Sequence, residues 1–232
     1  MIYFGGGIMK VVVRIGGSVI ASPPNPELIR KYAELIMNLG KREHKIAVII
    51  GGGKLAREFI SLARELGLPE QEQDELAISV SRLFAQVLSM MIGGYAWRKI
   101  PENIEEAVRA LSERGIVVMG GVKPGMTTDT VAALLASEIG ADLIVKATDQ
   151  EGVYTRDPRK YSDAKKLDEI GFNDLEKILS EDRHRAGIHQ IIDPEAVRIL
   201  KEKRIKTIVV NGFRPENVLL AISGAKVGTV IH

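Results

Sequence analysis

The chain alternates short apolar runs with longer segments whose apolar residues recur at helical spacing. A β-branched run at residues 11–15 stops at a glycine loop, and a helical pattern over 27–39 follows, closed by Gly40. A second unit of the same kind begins with a strand at 45–50 and passes through three glycines into a helix over 54–66. Repeated units of strand, loop and helix predict strands that pair in parallel.

The alternation continues to the end of the chain. We predict further helices over 73–91, 102–113, 129–139, 173–179, 194–202 and 216–222, and further strands over 116–119, 142–147, 206–210 and 228–231. The strands are apolar almost throughout, which is typical of a sheet covered on both faces. The sequence therefore predicts a three-layer α/β/α sandwich around a mainly parallel sheet. A soft boundary near Gly140 separates residues 9–140 from 141–232, and we interpret residues 1–8 as an N-terminal extension outside the fold.

Composition excludes several classes of protein. The 232 residues are 45% apolar and carry 32 Lys and Arg against 30 Asp and Glu, so we expect a globular chain that does not bind nucleic acid or an anionic membrane through its overall charge. The chain has no cysteine, and its four scattered histidines form no zinc-binding pair, so we predict no metal-ligating residue. No apolar run approaches the roughly 20 residues of a membrane span. Residues 1–8 also lack the features of a signal peptide, and we expect a cytoplasmic protein.

Four loops are the expected location of the chemistry, because ligands of doubly wound sheets bind beyond the carboxyl ends of the strands. They lie at residues 16–18, 51–54, 120–129 and 148–166. The first three are rich in glycine and precede helices, where backbone N–H groups and the positive helix end attract phosphate. None has the spacing of a Walker A loop or a GxGxxG dinucleotide motif. The sequence therefore predicts a phosphate-bearing ligand that is bound by the glycine loops without either of these two motifs.

Charged residues beside these loops are candidates for catalysis. Arg14 interrupts an apolar strand, where an unpaired cation is costly, so it requires an anion or a carboxylate nearby. Asp129 begins an almost wholly apolar helix and could hold Arg14 or Lys146 in position, or reach a phosphate-bound Mg²⁺ through water. Thr127, Thr128 and Asp129 are also residues that ordinary helix capping selects, and capping explains one of them well but not the whole run.

Other candidates have equally ordinary explanations. Lys54 and Arg57 could reach an anion held by the second loop, yet both belong to a continuous polar helix face that solvent alone would explain. In the long fourth loop, Tyr154 could stack on a base and Asp157 could bind a ribose. Alternatively, Tyr154 is an anchor and Asp157 part of a simple turn. Asp193 is interpreted as a plain helix cap, outside the site.

Four stretches form a combined motif in a fixed order. They are RIGGSVI at 14–20, IIGGGKLARE at 49–58, VMGGVKPGMTTDTVAALLA at 118–136 and ATDQEGVYTRDP at 147–158. With them the chain resembles the amino acid kinase family, most closely its uridylate kinase branch of archaeal type, over essentially all of residues 9–232. The resemblance implies the amino acid kinase fold and phosphoryl transfer from ATP, with Mg²⁺, to UMP, giving UDP in pyrimidine nucleotide biosynthesis. It also implies a cytoplasmic homohexamer.

Carried over position by position, the resemblance implies three groups of site residues. UMP would be bound in the half formed by residues 9–140, by Gly52, Asp74, Lys123, Pro124, Gly125, Met126, Thr127 and Thr128. ATP would be bound by Gly17, Ser18, Gly53, Arg57, Thr148, Tyr154 and Asp157, with residues 141–232 as the ATP-binding half. Asp129 would organise the catalytic centre, and Arg14, Arg57 and Lys146 would offset the charge of the transferred phosphoryl group.

The chain departs from the family pattern in two respects. Arg14 stands where many members carry lysine, and a planar guanidinium grips phosphate differently from an ammonium group. The fourth loop carries an extra carboxylate in the stretch Asp149-Gln150-Glu151, near the expected ATP. Donor affinity or base preference is expected to differ accordingly.

Three other functions compete with UMP phosphorylation. An isopentenyl phosphate kinase typically has a histidine in the second glycine loop, where this chain has Lys54 and Arg57. A kinase acting on the carboxylate of glutamate or aspartate is disfavoured because Asp74 suits a ribose hydroxyl better. A non-catalytic nucleotide-binding protein is disfavoured because Asp129, Arg57 and Asp157 are retained together.

Overall fold

The computed structural model describes residues 7–183 and 191–232, and within them seven strands form one sheet. The strands are β1 (Lys10–Ile15), β2 (Lys45–Ile50), β3 (Ile116–Met119), β4 (Leu143–Thr148), β5 (Glu169–Ile170), β6 (Thr207–Asn211) and β7 (Thr229–Ile231). Their order across the sheet is β3-β2-β1-β4-β6-β7-β5. All neighbouring strands run parallel except β6 and β7, so the prediction of a mainly parallel sheet is confirmed. Residues 1–6 of the predicted extension lie outside the described residues.

Helices cover both faces of this sheet. They are α1 (Gly17–Ile20), α2 (Pro26–Gly40), α3 (Gly53–Glu65), α4 (Glu70–Ile92), α5 (Ile104–Arg114), α6 (Thr128–Ile139), α7 (Phe172–Arg183), α8 (Pro194–Lys203) and α9 (Glu216–Ile222). The predicted helices and strands occur within a few residues of their expected ends. Helix α1 and strand β5 were not predicted, because four helical residues or two strand residues are too few to show a period.

Two apolar layers make the core, one on each face of the sheet. Side chains of α2, α4 and α9 pack on one face, and those of α5, α6, α7 and α8 pack on the other. Consecutive residues of β1 point to opposite layers, so Val11 and Val13 join the first and Val12 joins the second. Burial on both faces explains why the strands are apolar throughout, and the predicted three-layer fold is confirmed.

Helix α4 corrects one expectation from the sequence. The segment Glu70–Tyr95 is long and apolar enough to cross a membrane by length and composition alone, so the statement that no run approaches that length was wrong. Polar residues spread along the segment interrupt its apolar pattern, so the sequence shows no continuous apolar run there. In the fold, α4 buries Phe84 and Leu88 against the sheet and carries Asp74 and Arg82 towards the carboxyl ends of the strands. One face of α4 therefore belongs to the core of this domain, while Leu83 and Met90 are exposed on the helix.

Candidate active site

A cleft at the carboxyl ends of β1, β2, β3 and β4 gathers all four predicted loops. It consists of two adjoining cavities, of about 560 Å³ and about 590 Å³. Both cavities are lined by Ser18, Arg57, Asp149, Gln150 and Arg159, so they form one continuous space. These strands are neighbours in the sheet, so loops that are more than 100 residues apart in sequence lie side by side.

The first two glycine loops touch each other through their backbones. A Cβ atom on Gly17 would lie 2.0 Å from the Gly53 nitrogen and 2.5 Å from the Gly51 carbonyl oxygen. Gly53 has a φ of +62°, and a Cβ there would lie 2.4 Å from the Gly17 oxygen. Ser22 closes the contact from the side, because its Oγ donates to the Gly17 carbonyl and accepts from the Lys54 N–H. The floor of the cleft can therefore accept only glycine at these two positions.

Asp129 lies between two cations at the centre of the cleft. Its Oδ1 is 2.8 Å from Arg14 Nε, and its Oδ2 is paired with Lys146 Nζ. Arg14 and Lys146 occupy paired positions of the parallel strands β1 and β4, so their side chains leave the same face of the sheet. Arg14 Nη2 also donates to Thr128 Oγ1 at 2.9 Å. The carboxylate that the sequence argument required near Arg14 is present, and it comes from the first turn of α6.

Burial and charge set the protonation of this triad. Burial raises the pKa of Asp129, but the positive charges of Arg14 and Lys146 outweigh it, so the pKa lies below its usual value and the carboxylate is ionised. Burial is the largest influence on Lys146 and lowers its pKa to about 8, although Asp129 opposes the change. The three groups together carry a net positive charge near pH 7, where an anion would be attracted.

The third loop is held open by helix α4. The Gly125 N–H donates to Asp74 Oδ2 at 2.7 Å, and the Gly121 N–H donates to Ser81 Oγ at 2.8 Å. Arg82 donates through Nε to the Gly121 carbonyl at 2.9 Å and through Nη2 to a further carbonyl of the loop. These bonds leave the residues from Lys123 to Asp129, apart from Pro124, lining the first cavity.

Asp193 does more than the helix cap that the sequence predicted. It does cap α8, where its Oδ1 accepts from the Ala196 N–H at 2.9 Å. Its carboxylate also accepts hydrogen bonds from the Thr127 and Thr130 hydroxyls at the start of α6. The Asp193 backbone amide also contributes to lowering the pKa of the Asp129 carboxyl. The N-termini of α6 and α8 are therefore tied together beside the catalytic candidate.

The fourth loop forms the outer wall of the second cavity. Tyr154 lines that cavity together with Pro158 and Arg159. Asp157 is almost buried, and its Oδ1 accepts from the Arg159 N–H at 3.0 Å, which lowers the pKa of the Asp157 carboxyl. In this structure Asp157 therefore builds the turn that carries Arg159, and a contact between Asp157 and a ribose stays a prediction.

Comparison with known proteins agrees with this geometry. The sequence pattern of the amino acid kinase family matches residues 9–211. The chain belongs to the amino acid kinase family. It is 38% identical to a uridylate kinase of Methanobrevibacter smithii over 223 residues. The aligned region covers 96% of this chain and 99% of the relative. A uridylate kinase of Archaeoglobus fulgidus is 42% identical over 223 residues, covering 96% of this chain and all of the relative.

Solved structures place this amino acid kinase in the same fold. The crystal structure of uridylate kinase from Archaeoglobus fulgidus superposes with a TM-score of 0.86 and 40% identity, covering 97% of this chain and all of that chain. A UMP kinase from Bacillus anthracis, at 22% identity and a TM-score of 0.78, shares the fold over 98% of this chain and 97% of that chain. The resemblance drawn from the four motifs is confirmed at the level of family and fold.

The structure of this family member brings most of the predicted residues into the cleft. The first cavity is lined by Arg14, Gly17, Ser18, Gly52, Gly53, Arg57, Asp74, Lys123, Gly125, Met126, Thr127, Thr128, Asp129, Lys146 and Thr148. Tyr154 lines the second cavity, whereas Pro124 lines neither. The sequence pattern did not reveal Arg82, Arg159, Asp193 and Phe213, which also contact or line the cleft, whereas Asp149 lies at the cleft as the extra carboxylate of the fourth loop was expected to. Arg82 and Asp193 each lie in an ordinary helical pattern. Nothing in the neighbouring sequence indicates that either residue contacts the third loop.

Proposed function

We propose that this amino acid kinase transfers the terminal phosphoryl group of ATP to UMP, giving ADP and UDP. The observation that carries the proposal is the largely buried Arg14–Asp129–Lys146 triad, which lies where the two glycine loops meet the third loop. Full-length similarity to proteins named uridylate kinase, at 38–42% identity, supports UMP as the acceptor.

The two cavities suit two nucleotides placed end to end. UMP would occupy the first cavity, beside Gly52, Asp74 and residues 123–128, all of which belong to the half formed by residues 9–140. The ATP phosphates would lie over Gly17, Ser18, Gly53 and Arg57, and the base would extend towards residues of the half formed by 141–232. Arg57 borders both cavities, so its guanidinium can contact the phosphate that moves between them.

Positioning and charge neutralisation are sufficient for this transfer. An acceptor phosphate oxygen of UMP is ionised at neutral pH, so no side chain has to remove a proton from it. Arg14 and Lys146 would stabilise the charge that spreads over the transferred oxygens, and the amides of the glycine loops would hold the remaining phosphates. Asp129 would keep both cations aimed at the same point, since it pairs with each of them.

Mg²⁺ fits this cleft as an ion carried by the ATP phosphates. Among residues 7–183 and 191–232, no group of three or more His, Asp or Glu side chains could hold a metal ion, and both oxygens of Asp129 face cations. Mg²⁺ is commonly bound through substrate phosphates and water, and Asp129, whose oxygens pair with Arg14 and Lys146, would reach such an ion through a bridging water. When bound, the ion would neutralise phosphate charge.

Acceptor selectivity tests the proposal directly. ADP release is measured with ATP and, in turn, UMP, CMP, dUMP, isopentenyl phosphate and glutamate. We expect the highest kcat/KM with UMP. Equal or faster turnover with isopentenyl phosphate or glutamate would contradict the acceptor assignment, and nucleotide binding without ADP release would indicate a non-catalytic protein.

Self-association would cover an apolar surface formed by α3 and α4. Leu62 on α3, Leu66 directly after it, and Leu83 and Met90 on the adjacent α4 are all at least half exposed. Exposed apolar residues of this number on neighbouring elements are typical of a protein interface. We infer that a second copy of the chain packs here, as one contact of a homohexamer. We also place the protein in the cytoplasm, where ATP and nucleoside monophosphates occur. Sedimentation of the wild type against Met90→Glu tests this, with a smaller particle expected for the variant. Monomeric wild-type protein would contradict it.

A further inference from the structure

Phe213 is an exposed aromatic residue inside the cleft that none of the proposed roles uses. It follows β6, the residue is 50% exposed, and it lines the second cavity together with Tyr154 and Pro158. Single exposed apolar residues are common on protein surfaces and by themselves indicate nothing. Phe213 differs because the loop that carries it is fixed from several sides.

Backbone and side-chain bonds hold the Phe213 loop against the sheet. The Gly212 N–H donates to the Thr148 carbonyl at 2.7 Å, and the buried Tyr32 hydroxyl donates to the Gly212 carbonyl at 2.8 Å. The Phe213 N–H donates to Asn211 Oδ1 at 2.8 Å. The Asn211 carbonyl in turn accepts from Asn217 Nδ2 at 3.0 Å. The aromatic ring is therefore presented to the cavity by a rigid support, which reduces the entropy lost on binding a ligand.

Glu151 connects this support to the opposite wall of the cavity. Its Oε1 accepts from Asn211 Nδ2 at 2.8 Å, and both of its oxygens pair with Arg214 Nη2. Glu151 belongs to the fourth loop, which also carries Tyr154. The ion pair is half exposed and contributes little energy alone, but it fixes the distance between the loops that carry the two aromatic residues.

The chemistry of the second cavity changes along its length. The residues that it shares with the first cavity include the cations Arg57 and Arg159. Tyr154, Pro158 and Phe213 line only the second cavity, beside the charged residues Lys54 and Glu151. A ligand with an anionic chain at one end and a flat aromatic group at the other matches this arrangement. Aromatic side chains stack on nucleobases of any kind, because each base has a π-face.

We propose that Phe213 is a specificity residue that stacks on the base of the phosphoryl donor, and that Asn211 and Glu151 position it. The proposal rests on the proposed function, in which this cavity receives ATP. Stacking alone distinguishes bases by the size of the ring system. Donors with purine bases should therefore gain more from Phe213 than donors with pyrimidine bases.

The test measures donor binding in Phe213→Ala, Phe213→Trp and the matched control Tyr95→Ala. Tyr95 is also 50% exposed but lies outside the cleft. We expect Phe213→Ala to raise the KM and the dissociation constant of ATP about five-fold or more. UMP KM and kcat should stay within about two-fold of the wild type. Phe213→Trp should retain the ATP affinity of the wild type. In Phe213→Ala, the dissociation constant of GTP should rise as much as that of ATP, and the dissociation constant of CTP should rise less.

Inorganic tripolyphosphate separates loss of stacking from damage to the phosphate site. It has no base, so its inhibition constant against ATP should be the same in Phe213→Ala and the wild type. Unchanged ATP affinity in Phe213→Ala, or equal weakening of ATP and tripolyphosphate, would overturn the proposal. A change in particle mass with unchanged ATP affinity would also overturn it and assign Phe213 to a protein contact. Wild-type protein that binds ATP without phosphorylating UMP would contradict the proposed function and leave the stacking measurement intact.

Discussion

Gly17 and Gly53 lie in direct backbone contact, although they belong to different strand–loop–helix units. A Cβ on Gly17 would lie 2.0 Å from the Gly53 nitrogen and 2.4 Å from its Cα, a separation that real Cβ atoms do not show. The contact joins the loops after β1 and β2 into one surface beneath the proposed donor phosphates. Any side chain at either position must push the two loops apart.

Replacing Gly17 with alanine therefore tests the joined surface. We expect Gly17→Ala to lower kcat/KM for ATP by about 10²-fold, because a displacement of about 1 Å near the reacting groups has effects of this size. Gly94→Ala is the matched control, since a Cβ on Gly94 meets nothing within 4 Å. Steady-state kinetics of both variants check the prediction, and wild-type activity in Gly17→Ala would contradict the close contact.

Asp129→Asn tests the central carboxylate. We expect kcat to fall by about 10²- to 10³-fold, because Arg14 and Lys146 lose the charge that aims them at the phosphoryl group. We also expect a loss of stability of about 3 kcal/mol, since the variant leaves buried cations uncompensated. Turnover and chemical denaturation measure the two effects.

The double variant Asp129→Asn/Lys146→Met separates those effects. It restores the net charge of the buried group by removing one cation together with the carboxylate, so the free energy of unfolding should recover towards the wild-type value. Turnover should stay low, because the aligned pair of cations is gone. Recovery of turnover together with stability would show that Asp129 has only a structural role.

Asp74→Ala tests the acceptor side of the cleft. The substitution removes the acceptor for the Gly125 N–H, so the third loop loses its link to α4 at that point. We expect the KM for UMP to rise about ten-fold or more, with a smaller change in kcat and in the KM for ATP. Glu75→Ala is the control, because Glu75 is exposed on the same helix and does not line the cleft. An unchanged KM for UMP would remove Asp74 from the acceptor site.

The pH dependence of activity tests the charge of Lys146. Its pKa is lowered to about 8, so the free enzyme holds the ammonium form below that pH and loses the positive charge as the pH rises through it. We expect kcat/KM for ATP to fall on the alkaline side with an apparent pKa near 8. Lys146→Arg, which stays charged, should lack this fall. The same alkaline fall in Lys146→Arg would assign the titration to another group.

Much of the site was predictable from the sequence because its signals are local. An arginine within an apolar strand requires a counter-charge, and the structure supplies it from Asp129, one of the residues that the sequence singled out. The prediction that four loops share one edge also follows from local pattern, since parallel strands all end on the same side of a sheet. Arg82 and Asp193 escaped because each looks like an ordinary helix residue, and only their partners, the Gly121 carbonyl and the Thr127 hydroxyl, reveal their function.

The sequence by itself determined the three-layer fold, the glycine loops and the charged residues that border them, because periodicity, glycine spacing and the cost of burying a charge act within short stretches of chain. The tertiary structure alone decided that Gly17 meets Gly53, that Asp193 reaches the start of α6, and that Phe213 lines the same cavity as Tyr154. These contacts depend on the strand order β2-β1-β4-β6 and on the packing of α6 against α8. No local pattern encodes them, since each joins residues that are neighbours only after the sheet has formed.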